Sequence, residues 1–210
     1  MKVTRFGARQ RSLPSGPLAP VTARILNRCN GALIEHSIGA LDVRPGHRVL
    51  DIGFGGALSL RRLLDKVPTA MVFGVELSPS MVRRAGRVFS REMRAGRLVV
   101  KRAGVDSMPF PDTFFERVLT VQTVYYWPDV GAALAEIRRV MAGSGRLAVA
   151  IMPKEAQVRF RFPERGFGVF APEDVELALA HAGFQDVSCL AMKATAGRSK
   201  GPCVILARRP

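Results

Sequence analysis

The chain has 210 residues, 48% of them hydrophobic, with 32 Lys and Arg against 17 Asp and Glu, for a formal net charge of +15. That apolar content supports one domain with a sizeable core and excludes an intrinsically disordered chain. No apolar run approaches the roughly 20 residues of a membrane span, the N-terminus lacks the apolar stretch of a secretory signal, and Cys29, Cys189 and Cys203 suit neither a disulfide framework nor a metal site, so a cytoplasmic protein is expected.

The charge has two readings. One is an anionic partner: nucleic acid, a membrane surface or an acidic substrate. The other is an arginine-rich chain whose charges are solvated on helix faces, and the scatter of the basic residues favours it. Residues 1–20, rich in Pro, Gly and Arg without periodicity, read as an irregular basic arm, and residues 2–28 hold six basic residues and no acidic one. The spacing then predicts a helix over 20–41, with Ile25, Leu26, Leu33 and Ile34 among its apolar positions.

An alternation follows. HRVLDIGFG (47–55) reads as a buried strand ending in a glycine turn, ALSLRRLLDKV (57–67) as an amphipathic helix presenting Leu60, Leu63 and Leu64, and AMVFGVE (70–76) as a second buried strand. Ser78 as cap and Pro79 in the first turn start one helix. It places Met81, Val82, Ala85, Val88, Phe89 and Met93 at helical spacing, with Arg83, Arg84, Arg87, Arg91 and Arg94 on its other side, and it stops at Gly96. Strands over 97–102, 116–122 and 146–152 follow, with a helix capped by Asp129 before the last of them. A helix from Pro172 to near Gly183 leads to strands at 186–192 and 202–207. The expected fold is α/β: a Rossmann-like, doubly wound, mostly parallel seven-stranded sheet with an antiparallel C-terminal strand pair, helices on both faces, and a single domain over 21–210.

In such sheets ligands bind beyond the carboxyl ends of the strands, at the switch point beside the first strand. That strand ends here in Asp51-Ile52-Gly53-Phe54-Gly55-Gly56-Ala57, and the second ends in Glu76, a carboxylate able to accept hydrogen bonds from ribose hydroxyls. Glycines let the backbone turn tightly and approach a ligand closely. A dinucleotide motif starting at Gly53 needs its last glycine where Leu58 stands, which argues against nicotinamide binding.

Five segments now stand in order: VLDIGFGGA (49–57), GVELSPSMVRRA (74–85), MPFPDTFFERV (108–118), TVYYWPD (123–129) and EIRRVMAGSGRLAV (136–149). Together they resemble the ubiquinone/menaquinone-biosynthesis-type branch of the class I S-adenosylmethionine-dependent methyltransferases, over roughly residues 21–190. The resemblance implies S-adenosylmethionine as cofactor, S-adenosylhomocysteine as product and no metal. It implies that Asp51, Gly53 and Gly55 hold the methionine part, that Glu76 holds the ribose and that Leu77 lines the adenine, with Phe54 either beside the cofactor or in packing. The family usually has an aspartate at the position of Gly104. Asp106 is the nearest acid and a substitute for it, and the Val105 N–H can reach an adenine ring nitrogen. Gln122 stands where relatives often carry asparagine and is placed at the methionine end. The third glycine of the motif is replaced by Ala57.

Methyl transfer is an in-line displacement that needs positioning and exclusion of water, with a general base optional. The fourth strand's end lacks an Asn/Asp-Pro-Pro-aromatic motif, a cysteine and a carboxylate, which argues against exocyclic nucleobase amines, cytosine C5 and metal-dependent catechol chemistry. Tyr125, Tyr126 and Trp127 follow that strand, and one of the tyrosines is expected to face the acceptor. His36 is either a base or structural; His47 and His181 read as structural. Residues 153–170 interleave Arg159, Arg161 and Arg165 with Phe160, Phe162, Phe167 and Phe170. They read as a lid over a flat or anionic substrate, or as an edge strand with a basic face. The reading is an enzyme acting on a small molecule; the alternatives are an RNA- or lipid-directed methyltransferase and a non-catalytic protein of the same fold.

Overall fold

The computed structural model describes residues 19–160, 162, 166–193 and 201–210. The basic arm up to residue 18, and Arg161 and Arg165 of the expected lid, lie outside the described residues.

β1 (Arg48–Ile52) is covered on both faces, as Val49, Leu50 and Ile52 demand, and pairs in parallel with β2 (Met71–Glu76) on one side and β4 (Phe115–Val121) on the other. β3 (Leu98–Arg102) pairs in parallel with β2, and β5 (Met141–Ile151) with β4. β7 (Cys203–Arg208) lies between β5 and β6 (Gln185–Ala191) and is antiparallel to both, giving the seven-stranded order β3-β2-β1-β4-β5-β7-β6. The C-terminal strands do form an antiparallel pair, and within it β7 alone runs against the sheet.

The helices are α1 (Ala19–Ala40), α2 (Leu58–Lys66), α3 (Pro79–Val88), α4 (Ser90–Arg94), α5 (Val130–Val140), α6 (Lys154–Arg159) and α7 (Pro172–His181). They cover the two faces of the sheet with two apolar cores. Val49 faces one core, with Leu33, Leu60, Leu63, Met81 and Phe89 of α1, α2 and the α3–α4 region. Leu50 and Ile52 face the other, with Phe115, Ile137 and Leu179. No helix among the described residues is long and apolar enough to cross a membrane.

Three sequence expectations change. The helix expected from Ser78 to Gly96 is two helices, broken at Phe89, whose backbone leaves the helical region at φ −111° and ψ 26°. The Phe89 ring is buried beneath the Arg61 guanidinium, 4.5 Å from the ring centroid, and Arg61 is itself held to Glu92 at 2.8 Å. Second, Ile25 and Val88, expected on apolar faces, are 49% and 48% exposed. Third, where an edge strand was one reading of 153–170, Lys154–Arg159 is helical, and Phe170 is bonded back to Gln157 of that helix.

Candidate functional site

The reversal of strand order between β1 and β4 opens the carboxyl end of the sheet at the turn after β1. Gly53 sits there at φ +73°, and a Cβ on it would come within 2.6 Å of Thr123 Cγ2, so the close pass between the β1 and β4 loops requires glycine. Gly56 faces α1. A Cβ there would strike the Asn27 side chain and approach the Ala23 carbonyl to 2.5 Å, while Asn27 Nδ2 donates to the Gly56 carbonyl at 3.1 Å. Helix α1 is thereby fastened to the turn. Ala57 keeps a left-handed backbone, φ +65°, at the N-cap of α2, a conformation that costs a non-glycine residue about 1–2 kcal/mol.

Two carboxylates are buried at this turn. Asp51 is 1% exposed and accepts the Ser59 hydroxyl at the start of α2. Burial pushes its carboxyl up to about 7, the Ser59 hydrogen bond opposes that, and the Glu76 charge adds to it. Glu76 is 6% exposed; its Oε2 accepts the Gly55 N–H at 3.0 Å and its Oε1 the Ser78 N–H at 2.8 Å. Burial raises its pKa, and hydrogen bonds from the Ser78, Gly55 and Leu77 backbone oppose the rise. The following residue, Leu77, is 52% exposed, an open apolar surface beside a buried acid. Ser78 then caps α3, accepting the Met81 N–H at 3.3 Å.

At the third strand's end the Gly104 position has its own geometry. A Cβ there would lie 2.5 Å from Asp106 Oδ1, so the Asp106 carboxylate, on an exposed residue, occupies the space a side chain at 104 would take. Gly104 and Ser107 form a β-bridge that closes this bend. The Val105 side chain is buried in the core, leaving only its backbone for a ligand.

The residues after β4 divide. Gln122 takes φ +62°, and its Oε1 accepts the Tyr125 hydroxyl at 2.9 Å and the Met152 N–H at 3.2 Å. Its amide NH2 is the end left to meet a ligand. Tyr125 is 1% exposed; its hydroxyl also accepts the Met152 N–H at 2.7 Å, and burial pushes its pKa well above the ordinary value. The expectation that Tyr125 acts on an acceptor is corrected: its ring is core and its hydroxyl is committed to the β4–β5 junction. Tyr126 is half-buried and packs edge-on against Phe167 at 4.8 Å, with Phe162 at 6.2 Å.

Phe54 takes the packing position that was one of its two readings, and His36 is not brought to the glycine turn. Phe54 is 5% exposed and lies over Gly74, where a Cβ would meet its ring at 2.8 Å, so it packs under the turn and does not line it. His36 is exposed on α1, nine residues past Asn27 and therefore about 13 Å along the helix from the glycine turn. The turn meets α1 at Ala23, Leu26 and Asn27, one end of a 22-residue helix.

Four residues of the site were not expected from sequence: Asn27, Ser59, Thr123 and Gln157. Gln157 is fully buried; its Nε2 donates to Met152 O (2.8 Å) and Phe170 O (2.7 Å), and its Oε1 accepts the Phe170 N–H (2.8 Å). With the Gly168 N–H bonded to Tyr125 O at 2.9 Å, it staples residues 168–170 to the ends of β4 and β5. The one sequence signal for any of these contacts was the adjacent pair Gly55-Gly56, which marks close approach without naming the neighbour.

The strand order, the glycine turn after β1 and the buried acid ending β2 define a methyltransferase-type Rossmann-like fold. Comparison with known proteins agrees: residues 50–149 match the family described as "Methyltransferase domain". The chain is 33% identical over 183 residues to the malonyl-[acyl-carrier protein] O-methyltransferase of Geobacter sulfurreducens, covering 80% of this chain and 65% of that protein. It is 37% identical over 117 residues to the ubiquinone/menaquinone biosynthesis C-methyltransferase of Bordetella avium, covering 54% of this chain and 44% of that protein. The structure of a SAM-dependent methyltransferase from Aquifex aeolicus superposes with a TM-score of 0.74 over 91% of this chain and 98% of that one, at 20% identity. The chain thus spans less than two thirds of the length of these two sequence relatives.

Proposed function

We propose that the chain transfers the methyl group of S-adenosylmethionine to a small-molecule acceptor. The observation that carries this reading is the Gly55–Glu76 tie, which holds a buried carboxylate and the glycine turn as one rigid cradle. The residues fit the cofactor. Backbone N–H groups use part of the roughly four lone-pair sites of the Glu76 carboxylate, leaving acceptor capacity toward a ribose hydroxyl. Leu77 offers the neighbouring apolar surface to the adenine, and Asp106 offers an acceptor to its amino group from the space over Gly104. The backbone of Val105, the turn at Gly53 and the amide end of Gln122 complete the cofactor set, with Asp51 bracing α2 behind it through Ser59. When bound, the cofactor supplies an activated methyl group; these residues hold it and keep water out.

On the acceptor side Tyr126, backed by Phe167 and Phe162, is the tyrosine we place toward the substrate, and Gln157 holds the adjoining segment down as a lid. The relatives' names cover a malonyl-[acyl-carrier protein] O-methyltransferase and a C-methyltransferase of ubiquinone/menaquinone biosynthesis, and they support a metabolite-type or quinone-like acceptor.

The test is S-adenosylhomocysteine release from the full chain incubated with S-adenosylmethionine and, separately, short-chain acyl thioesters, free carboxylic acids, quinol-type phenols and RNA. Release with one of the small molecules, together with a methylated product by mass, is the expected result. Bound cofactor with no release from any small molecule contradicts the reading.

A further inference from the structure

Six described arginines outside α3 and α4 pair with carboxylates: Arg44 with Asp42, Arg48 with Glu116, Arg61 with Glu92, Arg62 with Glu35, Arg139 with Glu136 and Asp112, and Arg208 with Asp186. The α3–α4 face is different. Arg83, Arg87, Arg91 and Arg94 are all exposed there, and the adjacent edge strand β3 adds exposed Lys101 and Arg102. Between residues 77 and 105 the one acid is Glu92, already held by Arg61 at 2.8 Å. Among the described residues none of the six cations has a carboxylate partner. Arg83 reaches the Ser80 hydroxyl, Lys101 the Pro109 carbonyl and Arg102 the Leu77 carbonyl.

Arg83 and Arg87 stand about 6 Å apart along the axis of α3, and Arg91 and Arg94 about 4.5 Å apart along α4, beyond the break at Phe89. One strand of a nucleic-acid duplex presents a phosphate about every 3.4 Å along its axis, so the two arginines of each helix are spaced to meet phosphates one or two apart. The cations are arginines, whose planar fork matches phosphate oxygens in pairs.

The same face fits other polyanions less well. A membrane-surface helix buries a broad apolar face, and a protein interface centres on apolar or aromatic anchors. Here Met81, Ala85 and Phe89 point into the core, and Val88 is the large apolar side chain left outside on α3. With no aromatic ring among Arg83, Arg87, Arg91 and Arg94 to stack unpaired bases, the ridge suits paired strands better than single ones.

We infer that the α3–α4 arginine ridge is a docking surface for the phosphate backbone of duplex nucleic acid, independent of sequence and separate from the acceptor side of the fold. It adjoins β3 at the edge of the sheet, with β2 and β1 between that strand and β4, so it anchors a duplex without placing a base at the methyl group.

The test is fluorescence anisotropy of labelled RNA and DNA duplexes against the full chain across a salt series, with anionic phospholipid vesicles and a single-stranded oligonucleotide run in parallel. The expected result is duplex binding whose log K falls steeply with log salt. In the R83Q/R87Q/R91Q/R94Q variant that slope becomes shallower by about 3–4, roughly 0.9 per lost phosphate contact, and affinity drops at least about tenfold. The corresponding four-lysine variant keeps the slope, and R24Q/R28Q, off the ridge, binds within about twofold of wild type at the same salt. Circular dichroism and S-adenosylmethionine affinity report folding of each variant, and R83Q/R87Q alone shows half the slope change should the fourfold variant not fold. Absence of duplex binding, an unchanged slope in the ridge variants, an equal loss in R24Q/R28Q, or vesicle binding without duplex binding overturns the inference.

Discussion

The carboxylate of Glu76 accepts the backbone N–H of Gly55 at 3.0 Å, tying the end of β2 to the turn after β1 across 21 residues of sequence. Two adjacent parallel strands therefore present one preformed ligand edge, because the acid that would hold a ribose also fixes the loop beside it.

Removing that acid has two effects. Glu76→Ala deletes the proposed ribose acceptor and strips the Gly55 and Ser78 N–H groups of their partner. S-adenosylmethionine affinity is expected to fall by about 1–3 kcal/mol, roughly 5- to 150-fold by calorimetry, with Glu76→Gln losing less. Unchanged affinity in Glu76→Ala would take this residue out of the site.

Asp51 makes stability depend on pH. Its carboxyl titrates near 3.8 in an open chain and is pushed up to about 7 in the fold, chiefly by burial. Between those values the folded protein keeps a proton that the unfolded chain has released. Stability is therefore greatest at the acid side of this window, declines as pH rises through it and levels off above about pH 7. In Asp51→Asn, which preserves an acceptor for Ser59, the profile of Tm against pH flattens across the window and the variant gains on wild type at pH 8. Because Glu76 shifts in the same direction, some slope persists. Parallel profiles for the two proteins would show that Asp51 is not the titrating group.

The bend at Gly104 and Asp106 predicts a swap. Asp106→Ala should weaken S-adenosylhomocysteine binding by about 1–2 kcal/mol while leaving the inosine analogue, which lacks the amino donor, little changed. Gly104→Asp alone places a side chain where the Asp106 carboxylate lies and should also lose affinity. Combining Gly104→Asp with Asp106→Gly should recover it. Equal losses for the adenosine and inosine ligands in Asp106→Ala would assign the residue to folding.

Gln157 joins three backbone groups on two segments. Gln157→Ala leaves buried amide and carbonyl groups unpaired and is expected to cost about 2–4 kcal/mol in urea unfolding, with amide exchange at Gly168 and Phe170 rising before the rest of the sheet. A variant whose exchange changes evenly across the chain would contradict the staple.

Much of this architecture was readable because it is local. Alternating apolar runs, Ser78 and Asp129 as caps and the glycine turn set the strands and helices near their observed places. What escaped reading is what distant residues do to one another. Nothing near Asn27 announces that it will bond Gly56, and nothing near Gln157 announces Phe170. The helix break falls at Phe89, whose ring packs under Arg61, a partner 28 positions earlier in the chain. Tyr125 and Tyr126 are identical in type and adjacent, yet only packing against the Met152 N–H tells the buried one from its neighbour. Arg83, Arg87, Arg91 and Arg94 were legible as one polar side, but sequence only counts charges, and the fold shows which of them are paired.

The most direct measurement is calorimetric titration of the full chain with S-adenosylmethionine and S-adenosylhomocysteine, with NADH as control. The Gly55–Glu76 cradle predicts one site per chain for each of the first two ligands, with Kd on the order of micromolar, and no heat from NADH. Absence of binding by both, or binding of NADH in their place, would contradict the account.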